Sequence, residues 1–200
     1  MTRRRLPPAV LGSFILLLLA SLMGLILAGR SAPAVLSHPD VSPLHALAAM
    51  PPDWQTVALL SSRETDLPAA ALWAKIDAVS TWPDWSRSAI SLAERTDSSE
   101  AGTIRFRINM LYGMLPLTYE APVLPAPAPG VQQLLWGRAQ PGAATLFAWR
   151  VTELPEGRRR VSLVAYLHGP TYGAVRAVLE GAGQRQIDKV LTHLLTAARP

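Results

Sequence analysis

The sequence predicts an α+β fold: a curved seven-stranded antiparallel sheet wrapped around one long C-terminal helix, with two short helices after the first strand. Three observations predict it. From Val175 the apolar residues Val178, Leu179, Ala182, Ile187, Val190, Leu191, Leu194 and Leu195 recur at helical spacing, giving one broad apolar stripe. Between positions 88 and 168 the chain reads as short alternating segments broken by Gly and Pro, the pattern of antiparallel strands. Between the first strand and that region lie two short helical signals rich in tryptophan. A stripe as long as the C-terminal one needs a large apolar surface to lie against, and the sheet supplies it.

Taken in order, 55–66 reads as the first strand, with Val57, Leu59 and Ser61 opposite Ala58, Leu60 and Ser62. Asp66 is expected to cap the first short helix, which has Pro68 near its start and Leu72, Trp73 and Ile76 on its buried face. Thr81-Trp82-Pro83-Asp84-Trp85 forms a second tight helical turn. Ile90 begins the second strand. In 103–110, Ile104, Phe106, Ile108 and Met110 alternate with Thr103, Arg105, Arg107 and Asn109, the cleanest half-buried strand of the chain. A strand over 115–123 ends in a run containing Pro122, Pro125, Pro127 and Pro129, which confines this stretch to loop or edge. Strands over 131–138 and 145–154 follow, the latter with Phe147, Trp149 and Val151 on one face. Val161, Leu163, Ala165 and Leu167 line the inner face of the last strand, and His168-Gly169-Pro170 launches the long helix.

Half of the 200 residues are apolar, and part of that excess is local. Positions 9–28 carry no charge across twenty residues, enough for a helix of roughly 30 Å, one bilayer core. Arg3, Arg4, Arg5 and Arg30 flank this run. The other 15 of the 19 basic residues face all 14 acidic ones, so the rest of the chain is close to neutral. The formal charge of +5 therefore marks a membrane flank, and no nucleic-acid partner is expected. With no cysteine, disulfides, thiolate catalysis and cysteine-ligated metals are excluded.

The expected organisation is a basic flank (1–8), a transmembrane anchor or signal segment (9–28), a Pro/Ala-rich linker (29–52) and a folded domain (53–200) with a core of its own. The basic bias puts the N-terminus in the cytoplasm and the domain outside it, as a single-pass membrane protein. Ala32-Pro33-Ala34 resembles a small-residue cleavage site, and a cleaved chain would be secreted. The run is longer than the usual apolar region of a signal peptide, which favours an uncleaved anchor. In the linker, Ser42-Pro43 followed by Leu44 and Leu47 can start one or two helical turns on the domain or on the membrane surface. His38 and His45 lack further ligands nearby, so they read as solvated histidines and no metal site is expected.

The order strand, two short helices, six strands, long helix carries a resemblance. Leu72-Trp73-Ala74-Lys75-Ile76 with Trp82-Pro83-Asp84-Trp85, the opening Gly102-Thr103-Ile104-Arg105-Phe106, and Arg160-Val161 leading to Gly169 look like the START/polyketide-cyclase (SRPBCC, birch-pollen-allergen-like) superfamily. The resemblance covers roughly 54–199 and implies a helix-grip fold that keeps an internal cavity for a hydrophobic ligand.

The physical expectation agrees. One long helix and two short ones cannot fill the concave face of a strongly bent sheet, which leaves a mainly apolar pocket. Its candidate lining is Trp73, Phe106, Ile108, Leu117, Tyr119, Trp136, Phe147, Trp149, Leu179 and Ala182; taken singly each reads more readily as core, and only as a set do they favour a pocket. Gly181 and Gly183 bracket Ala182, where glycine costs a helix up to about 1 kcal/mol against alanine, so they suggest space left inside or close packing on a strand. His168 and His193 have no acidic partner in sequence and no nucleophile elbow is present, so no catalytic residue and no cofactor are assigned. The assignable inward faces are almost wholly apolar. Three readings follow: a membrane-tethered binding module for a hydrophobic small molecule or lipid; an enzyme of the cyclase/dehydratase type acting on a polyketide-like or isoprenoid substrate; and an interaction module whose cavity has filled in. Nothing in the sequence specifies an oligomeric state.

Overall fold

A computed structural model describes residues 33–49, 55–96, 102–110, 115–125 and 132–199. Two short helices come first, α1 (Pro33–Leu36) and α2 (Ser42–Ala48), followed by β1 (Thr56–Thr65), α3 (Ala69–Ile76) and α4 (Trp82–Ser86). The strands β2 (Ile90–Thr96), β3 (Thr103–Met110), β4 (Leu115–Leu124), β5 (Gln132–Gln140), β6 (Ala143–Glu153) and β7 (Arg159–His168) complete the sheet. The C-terminal helical run comprises α5 (Pro170–Ala174), α6 (Arg176–Val178), a π turn (Leu179–Gly183) and α7 (Gln184–Ala197). All strand pairs are antiparallel, in the order β1-β7-β6-β5-β4-β3-β2. This is the helix-grip architecture that the resemblance implies. The apolar run 9–28 lies outside the described residues, and among those described no helix is long and apolar enough to cross a membrane.

The sheet has two apolar faces. The concave face holds Val57, Leu59, Phe106, Trp136, Trp149, Val161 and Leu163 against Leu72, Ile76 and Trp82 of the short helices and Ile187, Val190, Leu191 and Leu194 of α7. From Leu179 onward the helical stripe faces the sheet as its periodicity requires, whereas Val175 and Val178, expected on the same stripe, are exposed. The convex face holds Ala58, Leu135, Leu146, Ala148, Val164 and Tyr166, and these are covered by Val41, Leu44 and Ala48. The Pro/Ala-rich stretch 33–49 thus forms a strap across the back of the sheet. Its buried Asp40 accepts a hydrogen bond from Ser162 Oγ at 2.5 Å, and Arg150 Nη1 lies 3.5 Å from its carboxylate. Arg150 also donates to Pro39 O at 2.7 Å.

Two local expectations are corrected. Asp66 does not cap α3; the N-cap is Pro68, without a side-chain bond, and Thr65 Oγ1 takes the Leu67 N–H. The C-terminal helix is irregular in its first half, because Val175 leaves helical geometry (φ −107°, ψ 11°) and 179–183 widen into a π turn. Gly181 and Gly183 fall in that turn, and a Cβ on Gly181 would meet nothing nearer than Arg185 Nη1 at 3.9 Å.

Candidate functional site

The site begins with a parting of strands. Among the described residues β4 and β5 pair only at Val123–Trp136 and Leu124–Leu135, although both strands run well beyond that point. Gly137 marks the parting. Its φ is +155°, and a Cβ there would fall 2.3 Å from Thr145 O and 2.8 Å from Leu146 Cδ2. Only glycine lets β5 follow β6 this closely as the two curl away from β4.

The space so created is a cavity of about 530 Å³. Its walls are Thr118–Ala121 of β4, Arg138 and Gln140 of β5, Ala143–Thr145 and Phe147 of β6, and the end of β7 with 169–172. It therefore sits at the end of the sheet where the C-terminal helical run starts. The volume is that of a site for a drug-sized molecule.

Its apolar side is aromatic. Tyr119 and Phe147 line the cavity, with ring centroids 5.2 Å apart. Behind them Phe106 stacks on Tyr119 at 5.5 Å and meets Phe147 edge-on at 5.1 Å, while Trp136 stacks on Phe147 at 5.5 Å. Trp136 Nε1 is buried and has no hydrogen-bond partner among the described residues.

The cavity also carries polar groups. Thr145 Oγ1 and Tyr172 OH are 2.6 Å apart, and His168 Nδ1 lies 2.9 Å from Thr56 Oγ1, its cross-strand partner. Burial, and then the nearby Tyr172, push the Tyr119 phenol up to about 12 from 10.0. Tyr119 is thus a neutral phenol at any physiological pH, fit to donate a hydrogen bond and unfit to act as a base. The almost wholly apolar inward surface expected from the sequence is corrected here: the cavity is aromatic on one side, and its remaining lining carries hydroxyls, an imidazole and the charged Arg138 and Glu120.

Of the ten sequence-nominated residues, Tyr119 and Phe147 line the cavity. Phe106 and Trp136 form the second aromatic layer described above. Trp149 is 1% exposed and lies against Trp82, centroids 6.5 Å apart. Trp73 is half-buried and donates Nε1 to Gln132 Oε1 at 2.6 Å. Ile108 and Leu117 are half-buried against the core, and Leu179 and Ala182 are buried in the π turn.

Sequence reasoning missed Arg138, Thr145 and Tyr172, and left His168 unassigned. All four sit near strand or helix termini at one end of the sheet; convergence of termini was the signal that could have found them. His193 stands apart from the cavity on α7, with Nδ1 3.2 Å from Ser86 Oγ. Burial, and then Lys189, lower its pKa. Among the described residues no group of three His, Asp or Glu side chains could hold a metal ion.

No protein-family model matches the sequence, and no curated protein matches it. Solved structures do match. The Zhui aromatase/cyclase from a Streptomyces species aligns at 16% identity and a TM-score of 0.54, over 72% of this chain and 93% of that one. A hypothetical protein of Helicobacter pylori aligns at 15% and 0.57, over 72% and 88%. Major latex-like protein 151 of Panax ginseng aligns at 8% and 0.51, over 73% and 99%. At such identities the likeness is one of architecture, and the chain has the helix-grip fold that these three proteins share.

Proposed function

We propose that the protein is a membrane-tethered binding module that holds a hydrophobic small molecule or lipid in the cavity between β4 and β5. The observation that carries this is the cavity itself: about 530 Å³, walled by Tyr119 and Phe147 and backed by Phe106 and Trp136. An aromatic wall supplies contact area, while a few polar groups orient the ligand. Here Tyr119, Tyr172, Thr145 and His168 suit a molecule with a hydroxyl or carbonyl at one end. The resemblance to ligand-binding domains of this fold supports the same reading, and the uncharged run 9–28 with its basic flank supports the tether, with the domain outside the cytoplasm.

The second reading, an enzyme of the cyclase/dehydratase type, draws on the perturbed Tyr119 phenol standing in one cavity with His168. A neutral phenol and an imidazole can polarise a carbonyl and move a proton. His168 Nδ1 is engaged by Thr56 Oγ1, and the aromatic wall gives the binding reading precedence.

The test is to fill the cavity. Ala143→Trp places a bulky ring at a half-buried wall position. Uptake of the solvatochromic dye Nile red by the full chain in amphipol should fall sharply in this variant while its near-ultraviolet circular dichroism is kept. Equal uptake by parent and variant would refute binding at this site. Alkaline phosphatase fused after position 200 should be active and a cytoplasmic reporter silent; the reverse would refute the topology.

A further inference from the structure

The outer face of 170–178 carries no charge. Pro170, Thr171, Ala174, Val175, Ala177 and Val178 are exposed, and Val175 and Val178 are 42% and 44% accessible. The one charged residue of this segment, Arg176, is turned inward: it is 3% exposed, donates Nη2 to Thr56 O, and lies 3.5 Å from Glu180. A short helical segment that buries its cation and presents its valines to water is suited to an apolar partner.

Two placements say which. Helices α1 and α5 both pack against β1, and β1 is an edge strand of the sheet. The apolar run ends at position 28, and α1 begins at Pro33. Five Cα steps span no more than about 18 Å. A bilayer holding 9–28 therefore lies close to the β1 edge, where the valine-bearing segment also lies. Segments of this kind settle roughly 5–10 Å into the headgroup and acyl boundary.

We infer that the face Ala174–Val178 docks on the surface of the membrane that holds the tether. This rests on the tether reading above. Residues 170–172 belong both to this segment and to the cavity wall, so docking sets the cavity against the lipid. A hydrophobic ligand then passes between bilayer and cavity without crossing water, which gives the tether a purpose beyond localisation.

The chain has no cysteine, so Val178→Cys and Glu156→Cys each provide a single labelling site. Glu156 lies in the β6–β7 turn at the opposite end of the sheet. Each full chain carries an environment-sensitive NBD label and is reconstituted in phosphatidylcholine nanodiscs containing doxyl-labelled lipid. The label at 178 should be blue-shifted and quenched by doxyl lipid severalfold more than that at 156. Adding Val175→Glu should return the 178 label to water while the chain still resists alkaline extraction. Loss of the parent chain from the discs on alkaline extraction would overturn the tether and this inference with it. A retained chain with equal quenching at both sites would overturn the docking alone. Pyrene excimers at Val178→Cys, seen with two chains per disc, would mean that a second copy covers the face and would also overturn it.

Discussion

Cutting Leu44 to alanine tests whether the strap across the convex face is part of the folded unit. Leu44 is 2% exposed and packs among Leu135, Leu146, Val164 and Tyr166. Removing a buried leucine side chain costs about 2–5 kcal/mol, depending on how far the site collapses. A lone short helix collapses more readily than a central strand, so the lower half of that range applies. Asp40→Ala acts on the same strap by another route. It removes the acceptor of Ser162 Oγ and the charge facing Arg150, whose side chain is 12% exposed. Breaking a buried pair costs about 3–5 kcal/mol, and the bond from Arg150 to Pro39 O recovers part of it. Against a total of about 5–15 kcal/mol, either change is large. Urea titration followed by near-ultraviolet circular dichroism reads both. A Leu44→Ala midpoint within about 0.5 kcal/mol of the parent, at unchanged slope, would refute the packing of α2. The strap also bears on the expectation that 53–200 is self-sufficient. Shortened to 53–200 the chain exposes Leu146, Val164 and Tyr166, so it should aggregate or bind a hydrophobic dye where 33–200 does not.

Trp149→Ala and Phe147→Ala should part company. Trp149, enclosed against Trp82, should lose the roughly 3–5 kcal/mol of a close-packed aromatic with ligand retention unchanged in molecules that stay folded. Phe147, with one side already on the cavity, should lose less stability and more ligand; identical behaviour of the two variants would defeat the placement of the cavity. The Tyr119 phenol, with a folded pKa of about 12 against 10.0, keeps its proton longer in the folded state. Stability should therefore fall as pH rises from 10 toward 12, by at most about 3 kcal/mol, and Tyr119→Phe should remove that part of the alkaline slope in urea midpoints. His193 has the opposite sense: its lowered pKa means that the unfolded chain takes up the proton first. Stability should drop as pH falls below about 6.5, and His193→Gln should flatten that slope.

The strands and their order along the chain were legible because they alternate between turn residues, and β3 matches its expected bounds of 103–110. The long helix was legible from its stripe, although not its break at Val175 and π turn, which depend on how Arg176 and Leu179 meet β1. The strap was legible only in its helix, which Ser42-Pro43 and Leu44 announce; its length and covering role were hidden for a physical reason. Five prolines in 29–52 read locally as a spacer, yet Leu146, Ala148, Val164 and Tyr166 alternate with the concave residues and are themselves apolar. Strands buried on both faces need a cover on each, and among the described residues 33–49 supplies the second. At the site, Tyr119 and Phe147 were found from inward alternation. Arg138, Thr145, His168 and Tyr172 were not, because they meet through the parting of β4 from β5 at Gly137, a three-dimensional event with a single glycine as its trace.

Native mass spectrometry of the full chain, released gently from nanodiscs, shows whether the cavity holds a hydrophobic ligand. If it does, adducts of one or a few apolar species survive detergent exchange and are lost in Ala143→Trp. Parent chain that emerges bare under conditions where the fold is intact, or adducts retained equally by Ala143→Trp, would contradict the binding reading.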